Sequence, residues 1–254
     1  MIFYTSIARL YDEIFPYNPL QKSFIEYFVK SDTGSAILDV GCGTGNLILN
    51  LADKYDTVIG IDPDKEMLDE ARLKALKFKA DRRDELEELG TWVLLQKGML
   101  DLATEFAPAS FNSILCFGNT LVHLLSPVQV REFVSQAYTI LKPAGYLMIQ
   151  IINYDRIIDQ GLNGLATIQS ENISFERKYE YESNPEVIKF ITKLRIKDSD
   201  EVIENEIPLL ALRPQDLKQS LTDAGFVDIL EFGSFKNEGF GEESQAYIVV
   251  ARKG

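Results

Sequence analysis

The stretch Ile37-Leu38-Asp39-Val40-Gly41-Cys42-Gly43-Thr44-Gly45-Asn46 decides how the chain is read. An apolar run of strand type passes into three glycines at alternate positions, and an amphipathic run starts at Leu47. A strand, a tight glycine turn and a helix N-terminus make a site for a nucleotide-like ligand. Glycine lets the backbone turn sharply and lets a ligand lie against it. The dinucleotide fingerprint places its glycines first, third and sixth. Here they fall first, third and fifth, and Asn46 holds the sixth position. Asp39 stands ahead of the first glycine, where a carboxylate attracts an ammonium rather than a pyrophosphate.

Strands and helices alternate outward from this turn. A helix is expected over 46–54, and strand 57–61 ends at Asp62. Pro63 opens a helix over 64–76 that carries Met67, Leu68, Ala71, Leu73 and Leu76. The segment 77–90 is dense in charge and reads as helix plus loop. Strands follow at 92–96 and 111–117, then a helix from Pro127 to Leu141 and a strand over 146–152. Upstream, Ile7, Leu10, Tyr11, Ile14 and Phe15 recur at helical spacing, and Pro16 with Pro19 breaks that helix. A second helix over 19–31 directs Phe24, Ile25, Tyr27 and Phe28 to its buried side. Short links between alternating elements indicate a parallel sheet covered on both faces.

Beyond residue 152 the pattern changes. Ile173, Phe175, Tyr179 and Tyr181 share one face of an alternating run, and Asn184-Pro185 reads as a turn. Strands 187–196 and 202–210 complete an antiparallel meander. A helix from Pro214 to Ala224 and strands 227–232 and 246–251 return to the first pattern, the last two as an antiparallel hairpin. The expected fold is α/β: a Rossmann-like, seven-stranded, mostly parallel sheet with an antiparallel last strand and an inserted β meander as lid. Residues 1–152 and 213–254 form the core, with 1–31 as a helical cap, and 153–212 form the lid.

Composition narrows the function. Of 254 residues 46% are hydrophobic, enough for a sizeable core, and the formal net charge is −13. Such a chain is repelled by nucleic acid phosphates and anionic lipid, so a small-molecule substrate is expected. No run is long enough to span a membrane, and a cytoplasmic protein is expected. Two cysteines and one histidine supply neither a disulfide framework nor a histidine-rich metal site, so no metal is expected. The sequence leaves the oligomeric state open, a homodimer included.

The series resembles the class I S-adenosylmethionine-dependent methyltransferases over nearly all its length. By that resemblance Asp39, Gly41, Gly43 and Gly45 frame the methionine part of S-adenosyl-L-methionine, and Asp62 accepts from the ribose hydroxyls. The competing reading of Asp62 is a cap on the helix that Pro63 opens. Gly98-Met99-Leu100-Asp101-Leu102 looks like the family's adenine-reading loop, with Met99 over the base, Gly98 where an acid is usual and Asp101 capping the next turn. Cys42, Pro63, Met67, Leu100, Phe117, Gly118 and Asn119 complete the expected cofactor wall. Cys116-Phe117-Gly118-Asn119-Thr120-Leu121-Val122-His123-Leu124 and Asn153-Tyr154-Asp155 resemble runs of the glycine and glycine/sarcosine methyltransferase branch. Ile152 stands where that branch has a carboxylate-holding arginine.

Expected substrate contacts are Tyr4, Tyr17, Asn119, His123, Asn153, Tyr154 and Tyr179. His123 and Tyr11 are the catalytic candidates, His123 as a base if the nucleophile is a hydroxyl; the favoured reading of a lone histidine in an apolar stretch is a structural hydrogen-bonder. Tyr4, Tyr11 and Tyr17 are candidates to cluster over the sulfonium, because aromatic rings attract cations; the alternative is ordinary packing of the N-terminal helices. The implied reaction is transfer of a methyl group to nitrogen or oxygen of a small molecule, leaving S-adenosyl-L-homocysteine. A binding protein without turnover and a nicotinamide dehydrogenase are the alternatives.

Overall fold

The computed structural model describes residues 2–81, 90–183, 185–199 and 201–254. The charged stretch 82–89 and the turn residue Asn184 lie outside the described residues. The N-terminal segment forms α1 (Ile2–Ile7), a 3-10 turn at Ala8–Leu10, α2 (Tyr11–Ile14) and α3 (Pro19–Phe28). Then come β1 (Ala36–Val40), α4 (Asn46–Leu51), β2 (Thr57–Asp62), α5 (Lys65–Asp81) and β3 (Thr91–Gln96). A 3-10 turn at Met99–Asp101 leads into α6 (Leu102–Glu105) and β4 (Phe111–Cys116). Next are α7 (Pro127–Ile140), β5 (Leu141–Ile152) and α8 (Tyr154–Asp159). The second sheet holds β6 (Gly164–Gln169), β7 (Ile173–Glu180), β8 (Val187–Ile196) and β9 (Val202–Leu210). The chain closes with α9 (Pro214–Asp223), β10 (Phe226–Phe232) and β11 (Ala246–Lys253).

The main sheet has seven strands in the order β10-β11-β5-β4-β1-β2-β3. Strands β1 to β5 pair in parallel, and β11 runs antiparallel to both β5 and β10. The sequence order turns back between β1 and β4, and such switch points open a crevice beyond the strands' carboxyl ends. Val40, Asp62 and Cys116 all end strands there.

Alternate strand residues bury on opposite faces. Leu38, Val40, Ile114, Cys116 and Ile149 join the core under α7, while Ile37, Val58, Leu115 and Met148 join the core under α3 and α4. Each fully buried aliphatic side chain contributes about 1.5–3 kcal/mol. Together they offset the cost of holding carboxylates at the strand ends. The four-stranded antiparallel sheet packs Ile173, Phe175, Tyr179, Ile188 and Leu194 into the first core. No described helix is long and apolar enough to cross a membrane.

Several expectations need correction. Tyr27 is 73% exposed, and Leu73 and Leu76 are also exposed, because helical spacing does not say whether a partner faces that stripe. Strand β5 begins at Leu141, not Tyr146; Ala144 takes a positive φ of 61° and an irregularity absorbs the Pro143–Gly145 segment. Helix α8 and the edge strand β6 were not expected at all.

Candidate active site

The glycine turn is held by backbone and by Thr120. Gly41, Gly43 and Gly45 have φ of 74°, 54° and 75°, a region that glycine enters without a Cβ penalty. The N–H groups of Gly41 and Cys42 donate to the Ile61 carbonyl at 2.8 and 3.0 Å. A Cβ on Gly41 would lie 2.3 Å from Thr120 Cγ2. Thr120 is itself fixed, because its hydroxyl donates to the Phe117 carbonyl at 2.7 Å. Gly118 and Asn119 take φ of 72° and 64° to bring the chain round. Asn119 then accepts from the Ile152 N–H at 3.0 Å and donates to the Tyr154 hydroxyl at 3.2 Å.

Two carboxylates stand at the strand ends. Asp39 is 4% exposed and Asp62 8% exposed. Burial and the neighbouring Asp62 charge push Asp39 up to about 7. Burial also raises Asp62, against the hydrogen bonds it accepts from the Gly43 N–H at 3.0 Å and the Asp64 N–H at 2.9 Å. No lysine or arginine figures among the groups that shift either acid. The cap of α5 is Asp64, which accepts from the Glu66 and Met67 N–H groups. Asp62 instead ties β2 to the glycine turn. Asp101 accepts from the Gly98 N–H at 2.8 Å and so closes the 3-10 turn.

Beside these groups lies a cavity of about 530 Å³. Gly41, Gly43, Asp62, Pro63, Met67 and Met99 line it, together with Tyr4, Tyr11, Gly118 and His123. A second cavity, about 610 Å³, lies under the four-stranded sheet. Tyr4, Tyr11, Gly118 and His123 line both, so these four residues form the wall between the two spaces. Tyr4 Oη lies 2.8 Å from His123 Nε2, and burial pushes His123 down to about 4. Burial raises the Tyr4 and Tyr11 hydroxyls, so both remain protonated at neutral pH.

Not every expected contact reaches these spaces. Tyr17 packs against the core on the other side, beyond the break made by Pro16. Asn153 caps α8 and donates to the Glu242 and Ser244 carbonyls, which uses its side chain up. Tyr154 is fully buried on Asn119. Tyr179 packs into the first core, and Tyr181 is held by the Ile157 and Leu162 carbonyls. Cys42 is buried against Ile48 and Gly60. Neither it nor Asp39, Gly45, Gly98, Leu100 or Phe117 lines the first cavity. Sequence reasoning missed Val40, Ile61, Lys97 and Thr120 in that cavity, and Phe3, Phe15, Ile152, Leu165, Arg177, Phe190 and Leu209 in the second. A signal existed for Arg177: it falls on the Ile173, Phe175, Tyr179 side of its strand, the one charged residue in an apolar row.

Residues 37–145 match the family model for a methyltransferase domain. The chain is a class I S-adenosylmethionine-dependent methyltransferase. It is 26% identical over 250 residues to glycine/sarcosine N-methyltransferase of Aphanothece halophytica, covering 96% of this chain and 86% of that one. Among solved structures, an S-adenosylmethionine-dependent methyltransferase from Clostridium acetobutylicum superposes with a TM-score of 0.76 at 18% identity, covering 99% of both chains. The S-adenosylmethionine-bound amino pentose methyltransferase CalS10 of Micromonospora echinaspora gives 0.66 at 16% identity, over 93% of this chain and 90% of that one. Likenesses at this identity carry the fold.

The methyltransferase's first cavity fits its cofactor. Asp62, a buried acid in the cavity wall, suits a ligand with hydroxyls to donate. Ile61, Pro63, Met67 and Met99 offer an apolar wall to a flat base.

Proposed function

We propose that this methyltransferase transfers a methyl group to an amine nitrogen of a small molecule held in the second cavity. The observation that carries this is the Tyr4–His123 pair in the wall between the two cavities. S-adenosylmethionine, when bound, supplies a methyl group already activated on a sulfonium. Asp62 would face its ribose, with Met67 and Met99 against the base. Tyr4 and Tyr11 would turn their rings toward the cationic centre, which lowers its energy without a countercharge.

A hydroxyl acceptor needs a base, whereas an amine that arrives neutral needs only to be aligned. The titratable groups of the second cavity are Tyr4, Tyr11, His123 and Arg177. None is a strong base at neutral pH: both tyrosines stay protonated, and His123 is a weak base tied to Tyr4. The likeness to an N-methyltransferase over 96% of the chain supports the same choice. The N-terminal helices and residues 153–212 act as the lid that excludes water.

The test is an acceptor panel of paired amines and alcohols, with transfer followed by mass spectrometry. Methyl groups on amines alone are expected. Methylation of the alcohols with the amines untouched would overturn the nitrogen assignment.

A further inference from the structure

The second cavity has one charged side chain in its lining, Arg177 of β7. It comes from the inward face of the antiparallel sheet, opposite Leu165 on β6 and Thr192 on β8. One corner of the guanidinium is fixed, because Nη2 donates to the Ala166 carbonyl at 2.6 Å. Its Nε is buried without a partner. The Thr192 hydroxyl, 2% exposed, and the Tyr179 hydroxyl are also buried without partners on this face. No described carboxylate pairs with Arg177, although the chain carries 39 acidic residues. The rest of the lining is largely apolar or aromatic: Phe3, Phe15, Ile152, Leu165, Phe190 and Leu209.

Arg177 as a whole is half-buried, but its buried Nε donor is costly to leave unmade unless an anion completes it. We propose that Arg177 anchors a carboxylate of the methyl acceptor, so that the substrate is an amino acid or related amine with an apolar body, its acid end toward the lid sheet and its amine toward Tyr4 and His123. This rests on the methyl-transfer reading above. The planar guanidinium suits a carboxylate, and the anchor comes from the lid rather than from the end of β5, where Ile152 is apolar. Six large apolar side chains in the lining call for an apolar body on the acceptor, which glycine lacks.

The experiment pairs acids with their amides. Phenylalanine and phenylalaninamide, leucine and leucinamide, and glycine and glycinamide are titrated calorimetrically into protein saturated with S-adenosyl-L-homocysteine, then assayed for methyl transfer. The larger acids are expected to bind at least about ten-fold more tightly than their amides, as a charge-assisted contact implies. Arg177→Gln removes that preference. Arg177→Lys retains part of it. Lys178→Gln removes the same charge from the exposed face of β7 and leaves the preference intact. Circular dichroism and S-adenosyl-L-homocysteine affinity report whether each variant still folds.

Acids that bind no better than amides, or a preference that survives Arg177→Gln in folded protein, would overturn the proposal while leaving methyl transfer standing. A wild-type protein that binds no S-adenosyl-L-homocysteine would overturn both.

Discussion

Lys74 Nζ lies 2.5 Å from Asp12 Oδ2. The other oxygen of Asp12 accepts from Thr44 Oγ1 at 2.5 Å and from Asn46 Nδ2 at 2.8 Å. Lys74 also donates to Thr44 and Asn46. This cluster joins α2, the glycine turn and α5 at one point. The next residue, Glu13, accepts from Ser170 and Asn172 in the inserted segment. Helix α2 therefore bridges the cofactor turn and the lid sheet.

Asp12→Ala should loosen both connections. The pair is partly exposed, so the expected loss is modest, about 1 kcal/mol of stability by urea denaturation. Cofactor affinity should fall about five-fold by calorimetry, because Thr44 and Asn46 lose the partner that orders the turn. Unchanged affinity in Asp12→Ala would remove α2 from the cofactor site's support.

Gly41 and Thr120 form a second coupled pair. Gly41→Ala adds a Cβ that would meet Thr120 at 2.3 Å, in a backbone conformation that alanine resists. The expected cost is about 2–4 kcal/mol in thermal or chemical unfolding. Thr120→Ala removes the obstructing atoms but not the strain. The double variant should recover roughly half the loss, and a double-mutant cycle measures that coupling. Strict additivity would show that the steric conflict is relieved elsewhere.

These two pairs differ in how far the sequence announces them. The Gly41–Gly45 spacing is local, and a backbone turn of that kind needs few other residues to define it. Strands β8 and β9 were likewise legible with their boundaries, since alternation along one strand needs no knowledge of its partner. Helix α8 was hidden because Asn153 reads equally well as a ligand contact or a cap. Edge strand β6 exposes Ala166 and Thr167, so its sequence lacks the apolar alternation of a buried strand. Asp12 and Lys74 act across long sequence separations, and nothing near them in the chain names their partners.

Asp39 and His123 should give stability opposing slopes with pH. Asp39 is raised from 3.8 to about 7 in the folded protein. The folded state therefore holds a proton that the unfolded chain has lost, and stability falls as pH rises through this window. His123 is lowered from 6.5 to about 4. There the unfolded chain holds the extra proton, and stability rises with pH up to 6.5. Between about pH 4.5 and 6.5 the two largely cancel. Asp39→Asn should unmask a rise relative to wild type, and His123→Gln a fall, each about 2 kcal/mol across that range. Urea midpoints measured at several pH values read this directly. Parallel curves for the three proteins would show that neither group is perturbed.

The Tyr4–His123 contact separates a positioning pair from a general base. A base with an ordinary histidine pKa would give a rate that rises through about pH 6.5. Here His123 stays neutral down to about pH 4. With an amine acceptor, kcat should show no inflection between pH 5.5 and 7.5, roughly the range in which an ordinary histidine titrates. The rise in kcat/KM at higher pH should follow the pKa of the acceptor amine and shift when that amine is changed. Tyr4→Phe leaves His123 without its 2.8 Å partner and should lower kcat about three- to ten-fold through misalignment. His123→Gln keeps a polar group that can meet Tyr4 and should be milder than His123→Ala. A loss of about a thousand-fold in His123→Gln, with an inflection near pH 6.5 in wild type, would instead make His123 the base and the acceptor a hydroxyl.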